Sequence, residues 1–132
     1  MKEIQDIISE QVIHANKFIC DREGNPHHCF DFGKVESALH SSFYPGSYPF
    51  MHGGIAGIAG AMAFYLTQAH AFVDGNKRTA AAAATAFMRL NGWELVYSKE
   101  PNLLAQTIES CASGKLTKEE MMAWFEVHKR TL

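Results

Sequence analysis

The sequence predicts an all-α fold, and three observations carry that prediction. Apolar residues recur three and four positions apart, alanine-rich runs have high helix propensity, and clusters of Gly, Pro and Asn separate these stretches. From Lys2 to Phe18, the positions Ile4, Ile7, Ile8, Gln11, Val12, Ala15 and Phe18 predict a helix that turns that face inward. Cys20 to Phe30 contains Gly24, Asn25 and Pro26 and reads as a loop. Asp31 can cap a second helix running through Val35, Ala38 and Leu39. Between Phe43 and Gly54, Pro45, Gly46, Pro49 and Gly53-Gly54 interrupt Tyr44, Tyr48 and Phe50, which reads as an exposed aromatic flap for docking a target, with burial of these rings in the core as the alternative.

From Ile55, the positions Ile58, Ala59, Met62, Leu66 and Ala69 line one helical face, while Ala61, Ala63 and Phe64 keep the other face apolar. A helix apolar all round belongs at the centre of a bundle. After a loop from Ala71 to Gly75, Asn76 to Leu90 forms a second central helix. Its small residues Ala80 to Ala84 and Ala86 predict close backbone packing against the first. Asn91-Gly92 ends it, because glycine readily adopts the left-handed conformation after a last turn. Glu94 to Ser98 reads as a short extended segment. Pro101 opens a helix through Leu103, Leu104, Thr107, Ile108 and Cys111, closed by Gly114. Thr117 and Glu120 form a capping box for a last helix that buries Met121, Trp124, Phe125 and His128.

Length and composition bound the function. At 132 residues the chain suits one domain spanning 1–132, and 47% apolar with 20% charged residues is a globular composition. A net charge of −2 gives no broad attraction for polyanions, so direct nucleic-acid binding and an acidic membrane surface are not expected. The most apolar window, Ile55 to Leu66, falls short of the roughly 20 residues that span a bilayer. The first ten residues lack the apolar run of a signal peptide. Cys20, Cys29 and Cys111 are odd in number with no CxxC pair, which fits reduced thiols in a cytoplasmic protein.

The chemistry concentrates in His70-Ala-Phe-Val-Asp-Gly-Asn-Lys-Arg-Thr-Ala80, a tight connection between the two central helices. The first amides of a helix have no internal partners and carry the positive end of its dipole, so they bind anions. Asn76, Lys77 and Arg78 stand on that first turn, where the dipole disfavours cations. Something other than helix stability therefore selects them. An imidazole at His70 suits the abstraction of a hydroxyl proton, Asp74 is a hard oxygen ligand for Mg²⁺, and Phe72 reads as a core anchor for the loop. The P-loop pattern does not apply, because His70 stands where its upstream glycine is required.

The motif His70-x-Phe72-x-Asp74-Gly75-Asn76-Lys77-Arg78 resembles the signature of the Fic superfamily in its death-on-curing branch, commonly called Doc. The general Fic motif, H-x-F-x-[D/E]-G-N-G-R-x-x-R, differs at two positions: Lys77 replaces a glycine and Ala81 replaces the second arginine. The resemblance implies a helical Fic/Doc bundle, ATP and Mg²⁺, His70 as base, Asp74 as metal holder, and Gly75, Asn76, Lys77 and Arg78 at the nucleotide. Members with the glycine and both arginines transfer AMP. The Asn-Lys-Arg form implies ATP bound in the reverse sense and transfer of the γ-phosphoryl group, with elongation factor Tu the implied substrate among translation factors. AMP transfer, and a non-catalytic module that binds nucleotide or a partner, are the alternatives.

Self-inhibited Fic proteins carry Ser or Thr, three residues, Glu, then Gly or Asn. Glu23-Gly24 is the only comparable pair here, and Ile19 stands where Ser or Thr is needed. A separate antitoxin, folding as a helix into a groove, is therefore the expected restraint. His27, His28 and Cys29 are adjacent loop residues with no second cluster at matching spacing, a weak metal pattern. Trp124 and Phe125 read as core.

Overall fold

Helical spacing in the sequence becomes six helices in the computed structural model, which describes residues 4–25, 31–44 and 53–132. They are α1 (Ser9–Glu23), α2 (Phe32–Phe43), α3 (Ile55–Ala69), α4 (Asn76–Leu90), α5 (Leu103–Ala112) and α6 (Lys118–His128). Two short strands, β1 (Trp93–Leu95) and β2 (Lys129–Thr131), pair antiparallel with Glu94 opposite Arg130. No helix among the described residues is long and apolar enough to cross a membrane. Tyr48, Phe50, His27, His28 and Cys29 lie outside the described residues.

The expected central position of α3 holds: Ala56 through Ala63, together with Leu66 and Thr67, are buried. It packs against α2, α4, α5 and α6. Of the α4 alanines expected to pack inward, Ala80, Ala83 and Ala84 are buried with Phe87 and Met88, whereas Ala81, Ala82 and Ala86 lie on the side of the helix that faces a cleft. The backbone of α3 also approaches α6 closely at Gly60. A Cβ there would stand 2.7 Å from Met122 Cα and 2.9 Å from the Met121 carbonyl oxygen.

The capping signals behave as read. Asp31 Oδ1 accepts the Lys34 amide at 3.1 Å, and Thr117 Oγ1 accepts the Glu120 amide at 3.1 Å while Glu120 Oε1 accepts the Thr117 amide at 3.0 Å. Gly92 takes φ 84° after α4. Asn102, rather than Pro101, caps α5 by accepting the Ala105 amide at 3.0 Å.

The first helix departs from expectation. It begins at Ser9, not Lys2, because the preceding chain is tied to the end of α4. The Gln5 amide donates to Asn91 Oδ1 at 2.7 Å, and Asn91 Nδ2 donates to the Gln5 carbonyl at 2.8 Å. The inward stripe of α1 is Ser9, Val12, Asn16 and Cys20. Phe18, expected to be inside, is 58% exposed. The C-terminus differs too, since β2 follows α6 directly. There Trp124 and His128 stack with ring centroids 3.9 Å apart, both only partly buried, while Phe125 is fully buried. Tyr44 is exposed as the flap reading expects, whereas Phe43 is core.

Candidate active site

The connection between α3 and α4 is built from inside outward. Phe72 is buried and anchors the loop. Asn76 folds its amide back onto that anchor: its Oδ1 accepts the Phe72 amide at 3.1 Å, and its Nδ2 donates to the Phe72 carbonyl at 2.9 Å. Asn76 therefore shapes the loop with its side chain and offers the site its backbone amide. Gly75 turns the chain at φ 76° immediately before α4. A Cβ on Gly75 would meet Asn16 Nδ2 at 3.1 Å and Cys20 Sγ at 3.3 Å, so both its conformation and its surroundings favour glycine.

Those two neighbours come from α1, and the sequence reading did not single out Asn16. It is 2% exposed, and its Nδ2 donates to the Asp74 carbonyl at 2.8 Å and to Thr79 Oγ1 at 3.0 Å. Cys20 Sγ lies 3.7 Å from the same carbonyl. Burial, with the Asp74 carboxylate adding to it, pushes the Cys20 thiol above its ordinary value, and burial raises Cys111 likewise. Both thiols are free and buried.

The outer side of the loop carries the charged groups. Asp74 Oδ1 accepts the Gly75 amide at 2.8 Å and lies 4.0 Å from Arg78 Nη2. His70 caps the end of α3 in the left-handed conformation, φ 49° and ψ 45°, with its side chain exposed. The first intrahelical bond of α4 to Gly75 is donated by Thr79 at 2.8 Å. The amides of Asn76, Lys77 and Arg78 precede it, and they hold the free positive end of the helix. Lys77 Nζ reaches Glu109 Oε2 on α5, and Arg78 Nη1 reaches Glu23 Oε2 at the end of α1, each at 2.5 Å.

A cleft of about 870 Å³ joins these groups; His70, Asp74, Gly75, Asn76, Lys77, Arg78 and Ala81 line it from one side and residues of α5 from the other. Its volume lies within the range of small-molecule sites, roughly 300–1,000 Å³. Thr67 also lines it. Its Oγ1 is buried without a hydrogen-bond partner among the described residues, an orphan that a ligand or water in the cleft would satisfy.

Among the residues of this neighbourhood that the sequence does not mark are Asn16 beneath the loop and Thr67, Arg89 and Glu109 in the cleft wall. Each lies on a helix whose apolar spacing gave no reason to single out a polar position. Glu23 was noticed only for its sequence neighbours, and the fold brings it to Arg78.

Residues 1–88 match the Fic/DOC family, a span that runs from the amino terminus through most of α4. The chain belongs to that family. No curated protein matches it. Family members are generally transferases that use a nucleotide, which supports an enzyme of AMP- or phosphoryl-transfer type. The matched span contains the whole loop, whereas the α5 wall of the cleft lies beyond it.

Proposed function

We propose that this Fic/Doc chain is a toxin-type protein kinase of the cytoplasm, acting as one domain over residues 1–132. It transfers the γ-phosphoryl group of ATP to a hydroxyl of a translation factor, elongation factor Tu by resemblance, and a separate antitoxin helix restrains it. The reading rests on one juxtaposition: the exposed His70, the free amides opening α4, and Ala81 share a single cleft. Ala81 stands where the AMP-transferring motif has its second arginine, so no guanidinium from that position can hold a γ-phosphate away from His70.

The residues present fit both ATP and Mg²⁺. Three free amides, two cations and an orphaned hydroxyl suit a polyphosphate ligand in a cleft of this size. Among the described residues no three His, Cys, Asp or Glu side chains group to hold a metal by themselves. Mg²⁺ is commonly held by one or two carboxylates together with phosphate oxygens and water. Asp74 is the carboxylate here, and the ion when bound offsets phosphate charge.

In the proposed step the target hydroxyl oxygen bonds to the γ-phosphorus, the bond from that phosphorus to the β–γ bridging oxygen breaks, and ADP leaves. His70 takes the hydroxyl proton. Lys77 adds a point charge to the phosphates where the general motif leaves an open glycine.

ATP labelled separately at the γ- and α-phosphates tests the reading with purified elongation factor Tu and then a cell lysate. Label appearing in protein only from the γ position is expected. Label from the α position would establish AMP transfer, and label from neither would favour a binding module.

A further inference from the structure

Both cations of the loop already have carboxylate partners, and the two pairs are placed differently. Glu23 meets Arg78 from the end of α1 and does not line the cleft. Glu109 meets Lys77 from α5, and both of these residues line the cleft. The Lys77–Glu109 pair thus joins one wall of the cleft to the other, on the first turn of α4 beside its free amides. Within the cleft Asp74 and Glu109 stand beside Lys77 and Arg78, with Arg89 further along α4, so an incoming anion meets carboxylates as well as cations.

We propose that Glu109 is a built-in competitor for the phosphate site. Its carboxylate occupies the Lys77 ammonium, and a ligand gains Lys77 only by displacing it. The inference rests on the reading that the cleft takes ATP, and it adds a determinant of affinity that lies on α5. A ligand without phosphates has nothing to exchange for Glu109 and is indifferent to it. A polyphosphate offers several oxygens at once and can displace it. Both side chains are more than half exposed, so solvent screens the pair and its effect is modest.

Calorimetric titration of the full chain with Mg·ATP and with adenosine provides the test, using wild type, Glu109→Gln, Lys77→Met and the double variant. Glu109→Gln is expected to tighten Mg·ATP by about two- to fivefold, the range set by exposed ion pairs. It should leave adenosine unchanged, and the gain should shrink in the Lys77→Met background and at high salt. If wild type binds Mg·ATP and Glu109→Gln binds it equally or more weakly, the competition is overturned and the nucleotide reading stands. Equal tightening with and without Lys77 also overturns it, because plain charge repulsion then accounts for the gain. Failure of all four proteins to bind Mg·ATP overturns the competition and the nucleotide reading together.

Discussion

His70 is the one non-glycine residue with positive φ among those described. An L-residue held in the left-handed region carries a cost of about 1–2 kcal/mol, and histidine is among the residues that visit it most. Such a conformation persists where the surroundings enforce it. Here the buried Phe72 and the Asn76 amide bracket the turn. His70→Gly would relieve the backbone cost, while the greater freedom of glycine in the unfolded chain offsets about 0.4–1 kcal/mol of that gain. Thermal unfolding should therefore show a His70→Gly protein as stable as wild type or slightly more so. Single-turnover transfer should fall by about 10²–10⁴-fold, the contribution of a general base. A loss of stability beyond the roughly 1 kcal/mol of an ordinary substitution would mean that the imidazole supports the fold.

At the scale of elements, the crossing of α3 and α6 is a tight constraint. Alanine at position 60 would gain about 1 kcal/mol of helix propensity over glycine. Its Cβ, however, would stand 2.7 Å from Met122 Cα and 2.9 Å from the Met121 carbonyl, and backbone atoms cannot rotate out of the way. Overpacking of this kind costs about 1–3 kcal/mol. Urea unfolding of Gly60→Ala should show a net destabilisation of up to about 2 kcal/mol; a stabilised variant would show that α6 shifts freely. Element boundaries were legible where the signal is local, as for α4, whose limits Asn76 and Leu90 agree with the sequence reading. They were not legible for α1, because Gln5 pairs with Asn91, 86 residues away. No window along the sequence contains both residues.

Over the whole molecule, the chain end returns to its middle. β2 pairs with β1, the Leu132 amide donates to the Gly92 carbonyl at 3.0 Å, and Arg130 Nη2 holds Glu94 Oε2 at 2.8 Å. The hydrogen bond from Arg130, with Arg89 and Lys99 adding to it, holds the Glu94 carboxyl below its ordinary value of 4.5. A carboxylate with a depressed folded pKa favours the native state above the unfolded value, and that contribution is lost as pH falls through the folded value. Wild type should accordingly be more stable than Glu94→Gln at neutral pH. Thermal melts across an acid series should show the gap closing below about pH 4.5. A gap independent of pH would remove the ion pair as its cause.

The sequence by itself determined the all-α class, the central place of α3, the capping of α2 and α6, and the contiguous loop from His70 to Arg78. These depend on neighbours within a few positions, where helical periodicity and turn chemistry act directly. Tertiary structure decided which polar side chains surround that loop. Asn16 sits one turn after Val12 on the inward stripe of α1, and only the docking of α1 on α4 sets its amide against Asp74 and Thr79. Glu109 reaches Lys77 across 32 positions because α5 packs beside α4. Contacts between distant segments depend on how the helices pack, and apolar spacing within one helix does not specify which polar residue another helix will present to it.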